Sequence, residues 1–189
     1  MIVEERVRTL LAAGDTRGAA TEAIRGLGPK IHGYLRSVLR DDADAAEAFS
    51  VFAERLWRGI DGFRGESSFR TWAFRIAWNA ALNVRDEAWR RLGRRFESGE
   101  ASRLAEEVRT QTAVKVERQR DALEILRATL SPEEQTLLVL RIDQKLAWDE
   151  IAAVLVADGA PVEAAALRKR FERLKERLAK LARDRGLVG

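Results

Sequence analysis

Cysteine is absent from this 189-residue chain, and histidine occurs once, at His32. The first absence removes disulfides, thiolate nucleophiles and cysteine-ligated zinc together, and it suits a reducing compartment. The second removes histidine-rich metal sites and most histidine-dependent acid–base chemistry. His32, in KIHGYL, reads as a surface or helix-packing residue. Long apolar runs are missing too. The opening residues alternate charged, apolar and small types, with neither the apolar centre of a signal peptide nor a stretch of membrane-spanning length. A cytoplasmic protein without a membrane partner is expected. No glycine-rich phosphate loop, no nucleophile paired with a base and no metal-ligand spacing occurs, so neither an enzyme nor a cofactor is implied.

What remains is apolar and ionic. Apolar residues make up 46% and charged residues 34%, enough for cores beneath a densely charged surface. The length suits one ordinary domain or two small ones, and the helical spacing along the chain favours two small all-α units. A net charge of +4 identifies no partner, but its distribution is uneven. Between Arg64 and Arg95 eight arginines face three acids; from Arg168 to Arg185 nine basic residues face three acids; from Asp41 to Glu54 five acids face no base. Two basic blocks and one acidic block point to two nucleic-acid contacts and a separate surface for a basic protein partner. Taken singly, each block also fits an ordinary solvated helix face.

The most informative stretch is FRTWAFRIAWNAALN, Phe69 to Asn83. Phe69, Trp72, Ala73, Ile76 and Ala80 follow helical spacing and predict one buried stripe, with Arg75 and Asn79 along its edge and Trp78 nearby. Arginine neutralises phosphate, asparagine pairs with a base edge and rings stack on exposed bases, so this face has the chemistry for unpaired nucleotides. On periodicity alone, a purely structural helix explains the same residues. The wheel places Asn83 inside the apolar stripe, as a buried amide would be.

Upstream, VEERVRTLLAAGD and TRGAATEAIRGLGPKIHGYLRSVLR predict two helices, the second bent or interrupted at Gly28-Pro29. Asp41 to Ile60 predicts a third, with Asp41, Asp42 and Asp44 in its first turn complementing the dipole and Ala45, Phe49, Phe52, Leu56 and Ile60 as its stripe. GIDGFRGESS is a turn in which Ser67 or Ser68 caps the next helix.

The phrase FRGESSFRTWAFRIAWNAAL resembles region 2 of the extracytoplasmic-function (ECF) sigma factors, promoter-specificity subunits of bacterial RNA polymerase. The resemblance implies that the Asp41 to Ile60 helix docks on the clamp helices of the polymerase's largest subunit, with Asp44, Glu47, Ser50 and Trp57 at the contact. Ser50 stands where the family usually shows glutamine. It also implies −10 element contacts by Arg75, Trp78, Asn79 and Asn83, and by the following loop residues Trp89, Arg90, Arg91, Arg94 and Arg95.

Residues 97–121 have no aromatic residue and interleaved charges, and read as a linker. Beyond it, ALEILRATL predicts a short helix. Ser131-Pro132-Glu133-Glu134 is then a capping box with proline in the first helical position. The helix EEQTLLVLRI, a polar turn, and AWDEIAAVL with Trp148, Ile151, Ala152 and Leu155 on one face follow. A final basic helix repeats Leu167, Phe171, Leu174, Leu178 and Leu181, which equally fits a coiled-coil seam. Helix, turn, helix, turn, basic helix is the order of a helix-turn-helix reader.

LSPEEQTLLVLRIDQKLAWDEIAAVL resembles region 4 of the same family. That resemblance implies −35 reading by Arg168, Lys169, Glu172 and Arg173 and a contact with the polymerase flap. The turn VADGAPVEAA is about five residues longer than the family's, and alignment back from Glu176-Arg177-Leu178 is what puts those four residues at the DNA-facing positions. The expected organisation is a region 2 bundle at 1–96, a linker at 97–121 and a region 4 unit at 122–189. Core RNA polymerase and promoter DNA are the expected partners, with an anti-sigma factor or recruiting protein as a possible third. The competing reading is a two-module helical interaction protein without promoter activity.

Overall fold

The computed structural model describes residues 2–85, 103–104, 129–156 and 162–184. The chain divides into two compact units, Met1–Lys115 and Val116–Gly189. All regular structure among the described residues is helical.

In the first unit, α1 spans Ile2–Ala12, α2 Thr16–Leu39, α3 Asp42–Gly59 and α4 Phe69–Arg85, with a 3-10 turn at Ile60–Gly62. Each start carries a local reason. Asp15 caps α2, its Oδ1 accepting from Gly18 N at 2.8 Å, and Asp41 caps α3 by accepting from Asp44 N at 2.8 Å. Ser68 Oγ accepts from Thr71 N at 3.1 Å to open α4. Between α2 and α3 the chain reverses in two residues, Arg40 taking the left-handed conformation at φ 58°. Arg36 Nε then donates to Asp42 Oδ1 at 2.8 Å, tying the end of α2 to the start of α3.

The expected interruption of α2 at Gly28-Pro29 does not occur; the helix continues through Pro29 to Leu39. Pro29 and Arg25, whose carbonyl loses its donor, both lie on the exposed side. Ile24, Leu27, Ile31 and Leu35 continue one buried face past the proline and hold the two halves in line.

Small residues set the packing. Ala19, Ala20 and Ala23 of α2, Ala45, Ala48 and Ala53 of α3, and Ala73, Ala77, Ala80 and Ala81 of α4 are all buried. They allow close helix approach, and Phe49, Phe52, Phe74, Tyr34 and Leu56 fill the space between. At Gly26 a Cβ would stand 2.5 Å from Val3 Cγ2, so the glycine is what lets α1 lie against α2.

The start of α4 is also held from a distance. Glu4 Oε1 accepts from Arg70 N at 2.9 Å, a bond spanning 66 residues of sequence, so α1 supplies a carboxylate to the positive end of α4.

In the second unit, α5 spans Pro132–Leu138, α6 Trp148–Val154 and α7 Ala164–Asp184. The capping box is formed: Glu134 N donates to Ser131 Oγ at 3.2 Å and Ser131 N to Glu134 Oε2 at 2.9 Å. The helix expected through Ile142 instead widens into a π turn at Val139–Asp143. Gln144 N donates to Val139 O and Leu146 N to Leu140 O at 3.0 Å, and Lys145 takes φ 54°. This turn delivers Leu146 to the core and starts α6 at once, with Ala147 as its first cap. Alanine offers no acceptor, so only the Glu150 half of a box exists, accepting from Ala147 N at 2.9 Å. Leu167, Phe171 and Leu174 of α7 are buried as expected, while Leu178 and Leu181 are half-exposed.

The link between α1 and α4 carries a prediction. Glu4→Ala should destabilise the first unit by about 1 kcal/mol, the usual cost of a lost cap, with faster amide exchange at Arg70 and Thr71. Glu4→Gln, which keeps the acceptor, should lose less. Equal loss in both variants would show that charge, not the hydrogen bond, is what α4 requires.

Candidate nucleic-acid interface

Helix α4 is enclosed by α2 and α3 over more than half its circumference, which decides what it shows to solvent. The buried arc runs through Phe69, Ala73, Ala77, Ala80, Val84, Phe74, Ala81 and Trp78. It is rotated from the expected stripe. Trp72 and Ile76, placed inside by the sequence, are half-buried at its edge, and Trp78, expected beside the nucleotide-facing groups, is only 3% exposed. Four alanines share the inner side with Phe69 and Phe74, and Trp78 is buried beside them. Its ring therefore belongs to the packing and is not presented for stacking.

The outer strip of α4 holds Arg75, which is exposed, and Asn79 and Asn83, both half-exposed. Asn83 is thus not the buried amide the wheel placed in the stripe. Trp72 lies on the same strip, seven residues before Asn79. It is steadied by Phe63 at 5.4 Å and Phe69 at 5.4 Å between ring centroids, and those two rings meet edge to face at 5.1 Å. Trp72 is the residue that sequence reasoning missed as a site group. The signal was present in the alanine spacing, which marks the inner face better than the large residues do. Trp89, Arg90, Arg91, Arg94 and Arg95 lie outside the described residues.

On α3, Glu47 is exposed, Asp44 half-exposed and Trp57 half-buried, all accessible along the helix. Ser50 is not. It is 5% exposed and donates its hydroxyl to Ala46 O at 2.9 Å, so it cannot offer the surface contact expected of it. A long amide at that position would reach past the helix; the short hydroxyl folds back onto its own turn. Two acids of the block are held by neighbours, Asp42 by Arg36 and Glu54 by Arg58 at 2.7 Å.

In the second unit all four residues expected to read duplex DNA are exposed on α7. They do not form one cluster. Lys169 and Glu172 point away from the buried seam, and Glu172 is paired with Lys175 at 2.7 Å. Arg168 lies to the α6 side, its guanidinium carbon 5.9 Å from the Trp148 ring centre. Arg173 lies to the α5 side, where it lines an open groove of about 510 Å³ together with Arg170 and Arg177. The floor of that groove is Leu137, Leu155, Leu167 and Leu174, and Glu133 and Glu134 complete its rim.

Glu134 is the junction of this unit. Besides closing the α5 cap, its Oε2 accepts from Arg177 at 2.7 Å, so α5 and α7 meet through one carboxylate. Partial burial works to raise its pKa. The Arg177 hydrogen bond, the Ser131 N–H and the Arg177 charge outweigh that and hold it below the ordinary glutamate range.

The family follows from these observations and two comparisons. The sigma-70 region 2 model matches residues 23–95, which include α3, α4 and most of α2. RNA polymerase sigma factor YlaC of Bacillus subtilis (strain 168) is 32% identical over 140 residues, covering 70% of this chain and 76% of that protein. The chain belongs to the ECF group of the sigma-70 family, whose members are non-catalytic specificity subunits of bacterial RNA polymerase. Among the described residues no helix is long and apolar enough to cross a membrane.

Because the folded-state pKa of Glu134 is lowered, its contribution to stability is present above the unfolded value near 4.5 and is lost as pH falls through the lower folded value. Melting of the second unit followed across that range should therefore show a steeper decline in the wild type than in Glu134→Gln. Parallel declines would mean that the Ser131 and Arg177 contacts do not distinguish the charged carboxylate.

Proposed function

We propose that the two units divide promoter recognition between unpaired and paired DNA. The first, expected at 1–96, binds core RNA polymerase and holds the opened −10 element; the second, expected at 122–189, reads the −35 duplex; residues 97–121 join them. The observation that carries this reading is the outer strip of α4, which brings an exposed cation, two half-exposed amides and a braced, half-buried indole onto one line. Opening a few base pairs costs on the order of several kcal/mol, and stacking with phosphate contacts offsets part of it. Asn79 and Asn83 have the donors and acceptors to hold a base edge, Arg75 a phosphate, and Trp72 the face of a base.

The acidic edge of α3, with Asp44, Glu47 and Trp57, suits a basic helical surface such as the clamp helices of the largest subunit. The apolar groove between α5 and α7 suits an apolar helix tip such as that of the flap. On α7, Arg168, Lys169 and Arg173 supply charge for the major groove and its phosphates, and Glu172 supplies an acceptor for cytosine N4 once Lys175 turns away. An anti-sigma factor would compete for these same surfaces, whereas a recruiting protein would leave them free.

The experiment is transcription by the purified chain and bacterial core polymerase on pooled genomic fragments, with RNA 5′ ends sequenced. Starts sharing upstream −35 and −10 elements are expected. Core binding without specific starts would mean that a recruiting partner is required. No core binding would return the chain to a helical interaction module.

On a promoter found this way, Asn79→Ala should slow open-complex formation with little change in core affinity, whereas equal loss of both would remove its assignment to DNA. Arg173→Ala should weaken duplex binding and reduce the slope of log K against log salt by about 1. An unchanged slope would exclude a phosphate contact by that residue.

A further inference from the structure

Helix α7 carries eight basic residues from Arg168 to Arg183, yet within the described residues only one of them meets an aromatic face across to another helix. Trp148, the first residue of α6, is half-buried and packs edge to face on Phe171 of α7, with ring centroids 5.4 Å apart. Arg168 comes from the turn of α7 just before Phe171 and holds its guanidinium 5.9 Å from the indole centre, within cation–π range. A second guanidinium lies nearer to the same ring. Arg141, from the π turn, has its Cζ 4.7 Å from the indole centre and donates Nη1 to Leu146 O at 2.8 Å.

The two arginines are held differently. Arg141 is half-buried and fixed by both a ring and a carbonyl, so it anchors the indole. Arg168 is exposed, has no carboxylate partner among the described residues, and rests on the indole alone. A free arginine side chain samples many rotamers, and that freedom must otherwise be removed when it contacts DNA. Lys169, one residue on, points to open solvent and has no such support.

We propose that Trp148 is a positioning residue for DNA recognition: braced by Arg141 and Phe171, its indole holds Arg168 in the orientation that α7 needs at the −35 duplex. The inference rests on the reading of α7 given above. It adds a group on α6 that need not touch DNA, and an anchor on the π turn, to those expected from α7 alone. It also gives the π turn a task, since that widened turn is what sets Arg141 beside both Leu146 O and the indole.

The test is a double-mutant cycle on core polymerase carrying the full-length variants, measured as affinity for a duplex bearing the −35 element of a mapped promoter. Trp148→Leu and Arg168→Gln should each weaken binding, Trp148→Leu by roughly two- to five-fold as expected for an exposed cation–π pair. The double variant should be no weaker than Arg168→Gln alone. Trp148→Leu combined with Lys169→Gln should instead multiply, because Lys169 does not use the ring. If Trp148→Leu fails to assemble with core, Trp148→Phe keeps a ring against Phe171 and is read in the same cycle, with a smaller loss confined to the Arg168 background. Multiplicative losses with Arg168→Gln, or equal coupling to Lys169, would reduce Trp148 to a packing residue and overturn the proposal while leaving the role of α7 intact. No loss from Arg168→Gln would remove the underlying contact and the proposal with it.

Discussion

The first unit depends on how tightly α4 is enclosed. A helix whose inner side is built from Ala73, Ala77, Ala80 and Ala81 brings its neighbours close, and close neighbours cover a wide arc. Only a narrow strip then remains, and whatever the sequence places there is presented along one line with spacing fixed by helix geometry. Arg75, Asn79, Asn83 and Trp72 share that strip with the half-buried Ile76 and Leu82, while the opposite side of the helix is committed to packing. The surface is therefore a consequence of the core. Its start is fixed independently, since Glu4 from α1 and Ser68 from the preceding turn both satisfy N–H groups of the first turn of α4. A rigid frame of this kind leaves its polar side chains little reordering to undergo when they meet a ligand.

The second unit solves the same problem with fewer residues. Helix α7 is amphipathic along its whole length, but three buried side chains, Leu167, Phe171 and Leu174, carry most of its packing near the N-terminal half. Two contacts on its flanks limit rotation about that seam. Toward α5, Arg177 meets Glu134, which is itself committed to the α5 cap; toward α6, Phe171 and Arg168 meet Trp148. A helix free to roll about its seam would present different side chains to solvent at each angle. Fixing it on both flanks defines which residues face outward.

Much of this architecture was legible in the sequence, and the failures have a common cause. The capping box at Ser131, the acid-capped start of α3 and the helix order followed from local chemistry, in which the groups that satisfy each other are three residues apart. The orientation of α4 did not. A wheel weighted by large apolar residues aimed the core at Trp72 and Ile76, whereas the packing uses alanines, which carry little hydrophobic weight but permit close approach. That one rotation exchanged Trp72 for Trp78 and brought Asn83 to the surface. Pro29 misled for a related reason: an exposed position tolerates the missing donor when the buried faces on both sides remain continuous. Ser50 was aligned to a surface amide, but its short side chain reaches only its own helix.

The charge blocks seen in the sequence are partly paired off inside the fold. Several charges are neutralised within the fold: Asp42 by Arg36, Glu54 by Arg58, Glu172 by Lys175 and Glu134 by Arg177. An exposed pair such as Glu172 with Lys175 contributes little to stability, typically less than about 1 kcal/mol, and water or phosphate competes for it easily. Among the described residues Lys169 and Arg173 have no carboxylate partner, so unpaired positive charge lies on the outward and α5 sides of α7. Arg168 differs from both, being held by a ring that satisfies it without neutralising it. A cation held this way keeps its full charge for a polyanion while losing much of its freedom, which no carboxylate partner could achieve.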